Sequence, residues 1–155
     1  MKFDSRYATV EDVQVVSRII SQYWQPSLDY SAEVVKEDNI FLVAEYKDEE
    51  LGKPILAGMA LANIIKWNKT GYLLEIAVDK GNKRSGVGKT LIAGLSHIGK
   101  KRGIRSVIAE TQPSNIVAMD FYISQGFRLC GFNDRYYTNT PKSSRDVAIF
   151  FSLDL

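Results

Sequence analysis

Apolar side chains recur on one face of a helix near the N-terminus, at Val13, Val16, Ile19, Ile20 and Tyr23. Thr9, with Asp12 three positions later, resembles a capping box, so the spacing predicts a first helix from about Val10 to Trp24. After Pro26 the stretch "LDYSAEVVKEDN" is mixed and has room for one or two helical turns beside a site. The pattern then changes: "IFLVAEY" (Ile40 to Tyr46) reads as a strand, "KDEELGKP" as a hairpin turn, and "ILAGMALANII" (Ile55 to Ile65) as its partner. Asn68 to Gly71 supply the next turn, and "YLLEIAVD" (Tyr72 to Asp79) a third strand. Helical spacing returns from about Gly86 to Lys101 and stops at Gly103. "SVIAET" (Ser106 to Thr111) reads as a short buried strand. A helix follows from about Asn115 to Gln125, with Gly126 suited to its C-terminal cap. Two strands close the chain, near Phe127 to Tyr137 and Val147 to Leu153.

Strands joined first by hairpins and then by helical crossovers imply an α/β fold, a mixed, mostly antiparallel sheet with helices on both faces. The chain has 155 residues, 45% of them apolar and 25% charged, which suits one soluble domain spanning 1–155 with a core of its own. No apolar run approaches 18 residues, and the N-terminus lacks a signal-peptide core, so the expected setting is cytoplasmic, away from membranes. Cys130 is the only cysteine and His97 the only histidine, which excludes an internal disulfide and makes a zinc site improbable. No metal is expected. As one sulfur on a strand, Cys130 is expected to be buried and apolar rather than nucleophilic.

The net charge of +2 is small, but its distribution is uneven. From Lys80 to Arg105 there are eight Lys or Arg residues and no Asp or Glu. Lys100, Lys101 and Arg102 suit the C-terminal end of a helix dipole. Lys80, Lys83, Arg84 and Lys89 instead surround "GNKRSGVGKT" (Gly81 to Thr90), which favours an anionic ligand there. The segment lacks the aromatic-basic pattern of a nucleic-acid surface.

That stretch ends like a nucleotide-binding P-loop, but the frame fails. Counting back from Gly88-Lys89-Thr90 puts Lys83 where the first glycine belongs, and counting on from Gly81 puts Val87 where the lysine belongs. The dinucleotide fingerprint fails as well, because Leu91 holds its third glycine position. What remains is Lys83-Arg84-Ser85-Gly86-Val87-Gly88 between a strand and a helix. Glycines there let a diphosphate approach the main chain, and the unpaired N–H groups of the helix N-terminus bind an anion without a metal. A helix with glycines in its entry turn is the plainer alternative.

A second constellation lies downstream in "SNIVAMDFYISQGF", with Asn115, Ala118, Phe121, Tyr122, Gly126 and Phe127. With the strand ending "IAV" and the glycine loop, it resembles the GNAT N-acetyltransferase superfamily. There Arg/Gln-x-x-Gly-x-Gly/Ala is followed by Asn-x-x-Ala-x-x-Phe/Leu-Tyr-x-x-x-Gly-Phe. The likeness is strongest from Leu73 to Leu155. One departure stands out: Lys83 holds the place usually given to Arg or Gln, which keeps the charge and loses the planar fork. "AETQPSN", "DRYYTNTP" (Asp134 to Pro141) and "DVAIFF" look like the streptothricin acetyltransferase branch, whose members acetylate the β-lysine amine of that antibiotic. Similar features occur in the ribosomal-protein N-terminal acetyltransferase branch.

The resemblance implies a GNAT fold, acetyl-CoA as co-substrate, and a small cationic amine as acceptor, streptothricin-like compounds being favoured. A protein N-terminus or lysine is the alternative acceptor, a non-catalytic acyl-CoA-binding module a third reading, and a homodimer is left open. It implies that Ile76, Ala77 and Val78 run beside the coenzyme arm, with an N–H near Val78 for the oxyanion. Lys83, Arg84, Ser85, Gly86, Val87, Gly88 and Lys89 would form the phosphate loop, while Asn115 either bonds the coenzyme or caps its helix. An acceptor amine with a pKa near 10.4 lies roughly 3 units above neutrality, so presenting its free base costs about 4 to 5 kcal/mol and calls for a base. Glu110 is the first candidate and Glu75 the second; each is alternatively a structural carboxylate. Tyr122 stands where the superfamily places its general acid, and is otherwise a core tyrosine. Trp24, Tyr30, Asp134, Tyr136 and Tyr137 offer aromatic faces and a carboxylate for a cationic amine. His97 is expected to be exposed or half-buried on its helix.

Overall fold

A computed structural model describes residues 2–137 and 146–155. One seven-stranded sheet organises them, in the order β1-β2-β3-β4-β5-β7-β6. Its strands are β1 (Asp4–Tyr7), β2 (Asn39–Lys47), β3 (Pro54–Ile65), β4 (Thr70–Val78), β5 (Ser106–Thr111), β6 (Arg128–Asn133) and β7 (Ala148–Asp154). Only β4 and β5 pair in parallel; every other neighbouring pair among the described residues is antiparallel. The helices are α1 (Val13–Ile20), α2 (Tyr30–Val34), α3 (Val87–Lys101) and α4 (Ile116–Ser124). Of the stretch Asp134 to Pro141, the part from Thr138 onward lies outside the described residues.

Alternation along the strands builds two cores. Leu42, Ala60, Ala62, Leu73, Val107, Ala109 and Phe151 face α3 and α4, meeting Val87, Leu91, Leu95 and Tyr122. Phe41, Val43, Met59, Leu61 and Ala77 face α1 and α2, meeting Val16, Ile19, Ile20 and Tyr30. The sheet thus carries helices on both faces, as the pattern predicts. At α1, a single 3-10 turn over Val10–Asp12 precedes the helix, and helical bonds continue past it as Trp24 N–H reaches Ile20 O at 3.1 Å. Thr9 N–H donates to Asp12 Oδ2 at 2.8 Å, the reciprocal half of the expected capping box.

The strand β1 is absent from the expected order. "DSRY" has no apolar alternation; it pairs along β2 and passes directly under α3, where a Cβ on Gly94 would come within 2.3 Å of Ser5 Oγ. Both long crossover helices end in paired Schellman bonds. After α3, Ile104 N–H reaches Gly99 O and Gly103 N–H reaches Lys100 O, with Gly103 at φ 74°.

Candidate active site

The glycine loop is fastened at its start. Gln22, just past α1, donates to Asp79 Oδ1 at 2.7 Å and accepts from Lys80 N–H at 2.8 Å. Asp79 Oδ2 in turn accepts from Gly81 N–H at 3.0 Å, holding a 3-10 turn over Lys80–Asn82. Arg84 (φ 58°) and Gly86 (φ 100°) then reverse the chain into α3 through left-handed conformations. Gly86 is the N-cap, and the first intrahelical bond runs from Thr90 N–H to Gly86 O, so the N–H groups of Val87, Gly88 and Lys89 lie at the open end of the helix. Lys83, Arg84, Ser85, Gly86 and Lys89 are exposed, whereas the Val87 side chain is in the core and leaves only its main chain for a ligand. The Ser85 hydroxyl donates to Asn82 O.

The two glycines differ in purpose. A Cβ on Gly86 would meet nothing within 4 Å, so its glycine serves the positive φ. A Cβ on Gly88 would come within 2.8 Å of Phe121 Cε2, so this glycine lets α4 pack against α3.

Beside the loop the sheet opens. The β4–β5 register runs Thr70↔Ser106, Gly71↔Val107, Tyr72↔Ile108 and stops, although β4 continues to Val78 and β5 to Thr111. A bulge accompanies the parting, since Leu61 faces Glu75 while Ala62 faces Leu73, leaving Leu74 as the extra residue. Past it, Asp79 N–H bonds Ala57 O at 2.8 Å, towards β3. By the alternation of an antiparallel ladder, Ala77 also turns its main chain to β3, and Ile76 and Val78 turn theirs to the opening.

Both carboxylates singled out from the sequence stand at this opening on the α1/α2 side. Glu75 is opposite Leu61 of that core and accepts from the Tyr30 hydroxyl at 2.8 Å. Burial, together with the like charge of Glu33, raises its pKa above the ordinary carboxylate value, against hydrogen bonds from Tyr30 and Trp24. Glu110 alternates with Val107 and Ala109, which enter the other core, and so projects to the same side as Glu75. Burial raises its pKa too, against a hydrogen bond from the Tyr137 hydroxyl.

The Tyr137 ring meets Tyr136 edge-on at 5.0 Å, Tyr136 meets Phe150 edge-on at 5.3 Å, and the Tyr136 and Tyr72 hydroxyls are in contact. The segment after β6 therefore crosses β7 and β5 to reach β4 at Tyr72, the last β4 residue paired with β5 before the strands part. Tyr72 is the member that sequence reading missed; its partner is 64 residues away, and no local pattern marks it.

Tyr122 approaches from the other face. It is 6% exposed, its ring packed on Phe121, Phe127 and Phe151 at 5.6, 5.3 and 5.7 Å. The end of α4 fixes it: Phe127 N–H bonds Tyr122 O at 3.0 Å and Gly126 N–H bonds Ile123 O at 3.0 Å, the Schellman pair, and the Phe127–Tyr122 ring contact is its apolar clasp. Among the described residues no hydrogen bond holds the Tyr122 hydroxyl. Burial, and then the nearby Glu110 charge, push its pKa up to about 12, so it keeps its proton at neutral pH. Asn115 caps α4, accepting from Ala118 N–H at 3.1 Å.

Other expectations fare differently. Cys130 is exposed, not buried, because β6 is the edge strand and all six of its residues face solvent. Trp24 lies exposed beside Glu75, and Asp134 and His97 are exposed. Among the described residues no group of three or more His, Cys, Asp or Glu side chains is placed to hold a metal. A separate cleft of about 310 Å³, lined by Lys66, Lys69 and Arg102, sits at the C-terminal end of α3 and contains none of the candidate catalytic or coenzyme-binding residues.

Comparison with known proteins gives a concordant picture. The profile of the Acetyltransferase (GNAT) family matches residues 9–127. A streptothricin acetyltransferase of Streptomyces lavendulae is 28% identical over 98 residues, covering 63% of this chain and 51% of that protein. A [ribosomal protein bS18]-alanine N-acetyltransferase of Escherichia coli K12 is 31% identical over 100 residues, covering 64% of this chain and 65% of the relative. The matches therefore span about half to two thirds of these relatives. The acetyl coenzyme A complex of a Bacillus anthracis protein superposes with a TM-score of 0.81 at 23% identity, covering 99% of this chain and 100% of that one.

Proposed function

The chain belongs to the GNAT acetyltransferase family, and from that premise we propose that it transfers acetyl from acetyl-CoA to a primary amine of a small cationic acceptor, of the streptothricin kind. One observation carries the reading: β4 and β5 part beside a glycine-entered helix N-terminus, with Glu75 on one strand, Glu110 on the other, and Tyr122 near enough to Glu110 to feel its charge. The loop suits a diphosphate, with exposed Lys83, Arg84 and Lys89 around open N–H groups and no side chain on Gly86. The edge of β4 at Ile76 and Val78 suits the amide-bearing arm of the coenzyme.

In this reading the amine nitrogen attacks the thioester carbonyl carbon while Glu110 or Glu75, directly or through water, takes the amine proton. The Val78 N–H meets the developing oxyanion. As the carbon–sulfur bond breaks, the Tyr122 phenol gives its proton to the leaving thiolate. A raised carboxylate pKa suits a base near neutrality, and a pKa of about 12 keeps the phenol a donor. No acetyl-enzyme is formed.

The bridge of Tyr136 and Tyr137 over Tyr72 and Glu110 favours a compact cation, held among ring faces and carboxylates, over an extended polypeptide. The ribosomal-type relative supports a protein N-terminal amine as the second reading. Thiol release from acetyl-CoA, followed with streptothricin, free β-lysine and N-terminal peptides in parallel, separates them. Saturable acetylation of streptothricin fits the first reading; turnover on peptides alone replaces it with the second.

A further inference from the structure

The C-terminal end of α1 does more than cover the sheet. Tyr23 donates its hydroxyl to Val78 O at 2.5 Å, on the β4 edge that faces the opening. Its ring lies beneath two ammonium groups of the glycine loop, Lys83 Nζ at 5.0 Å and Lys80 Nζ at 5.6 Å from the ring centre. Neither lysine has an ion-pair partner among the described residues, so the ring is what localises them there. Gln22, one residue earlier, fixes the loop from the same helix end through Asp79 and Lys80 N–H.

We propose that Tyr23 is a positioning residue for the coenzyme: its ring parks Lys80 and Lys83 beside the open N-terminus of α3, ready for the phosphate groups. The inference rests on the acetyl-CoA reading of the loop. A free lysine loses rotamer freedom when it closes on an anion, and a side chain already held on a ring loses less. An ammonium has three donors and the ring engages one side, so the same group can face a phosphate. The arrangement also offsets the departure at Lys83. A lysine lacks the planar fork of arginine, and a ring beneath it restores a fixed direction.

The test is calorimetric binding of coenzyme A to the wild type, Tyr23→Leu and Tyr23→Phe at several salt concentrations, with a melting curve for each. Two lysines that must be ordered on binding, rather than held beforehand on the ring, correspond to roughly a tenfold loss of affinity in Tyr23→Leu. The slope of affinity against salt should be shallower in that variant, since fewer cations are held near the phosphates. Tyr23→Phe keeps the ring and should stay within about twofold of the wild type, an assignment to the ring rather than to the Val78 bond. An unchanged affinity and slope in Tyr23→Leu would overturn the inference, as would a Tyr23→Phe as weak as Tyr23→Leu. A wild type that does not bind coenzyme A at all would instead overturn the coenzyme reading, and with it everything built on the loop.

Discussion

Tyr122→Phe separates chemistry from architecture at this site. The ring is packed on Phe121, Phe127 and Phe151, and phenylalanine keeps each of those contacts. The hydroxyl has no hydrogen-bond partner among the described residues, so its removal leaves no group orphaned. With no hydrogen bond lost and every ring contact kept, deleting the hydroxyl should change stability by less than about 1 kcal/mol. Turnover should respond very differently. A positioned general acid contributes about 10²- to 10⁴-fold, equivalent to about 3 to 5 kcal/mol of barrier. The assay is kcat for thiol release at saturating acetyl-CoA and acceptor, beside coenzyme affinity by calorimetry and a thermal melt. Loss of kcat with unchanged affinity and a nearly unchanged melting temperature is the expected outcome. A wild-type kcat would remove Tyr122 from the chemistry, and parallel losses of kcat and melting temperature would make it a packing residue.

Gly86→Asp should abolish coenzyme binding measured by calorimetry, because it adds a negative side chain at an open position with φ 100°. Gly86→Ala, which carries only the backbone strain of roughly 1 to 3 kcal/mol, should bind detectably. Gly88→Ala should lower the melting temperature, since its Cβ would press within 2.8 Å of Phe121; overpacking of that kind costs about 1 to 3 kcal/mol. With an acceptor of low amine pKa, kcat/KM should rise with pH through a group titrating above the ordinary carboxylate range, since the raised carboxylate must lose its proton to act as base. No falling limb from Tyr122 should appear until about pH 12 is approached. Whichever of Glu110→Gln and Glu75→Gln erases the rising limb identifies the base; if neither does, neither of these carboxylates is the base.

Local chemistry made the backbone of the glycine loop and α4 legible in the sequence. Positive-φ glycines, an asparagine cap and a Gly-Phe helix stop act within a few residues of where they are written, and Gly86, Asn115 and Gly126-Phe127 do so here. Features set by distant partners were not legible. β1 has a polar sequence because it is an edge strand, and its identity comes from β2, some 40 residues on. Cys130 was misread for the complementary reason: an edge strand at the other end of the sheet leaves apolar residues such as Leu129 and Phe132 at 65% and 73% exposure. The Leu74 bulge and the bridge from Tyr136 and Tyr137 to Tyr72 and Glu110 depend on register and on contacts between strands, which periodicity along one strand does not encode.

The central proposal is direct transfer of acetyl from coenzyme to amine in the gap between β4 and β5. Intact-protein mass spectrometry coupled to thiol titration, with acetyl-CoA first alone and then with acceptor, measures it most directly. With acetyl-CoA alone the protein should stay unmodified and no thiol should appear beyond its own exposed Cys130; once acceptor is added, one further thiol should appear for each acetylated amine. Thiol release without acceptor, with an acetyl group left on the protein, would contradict it.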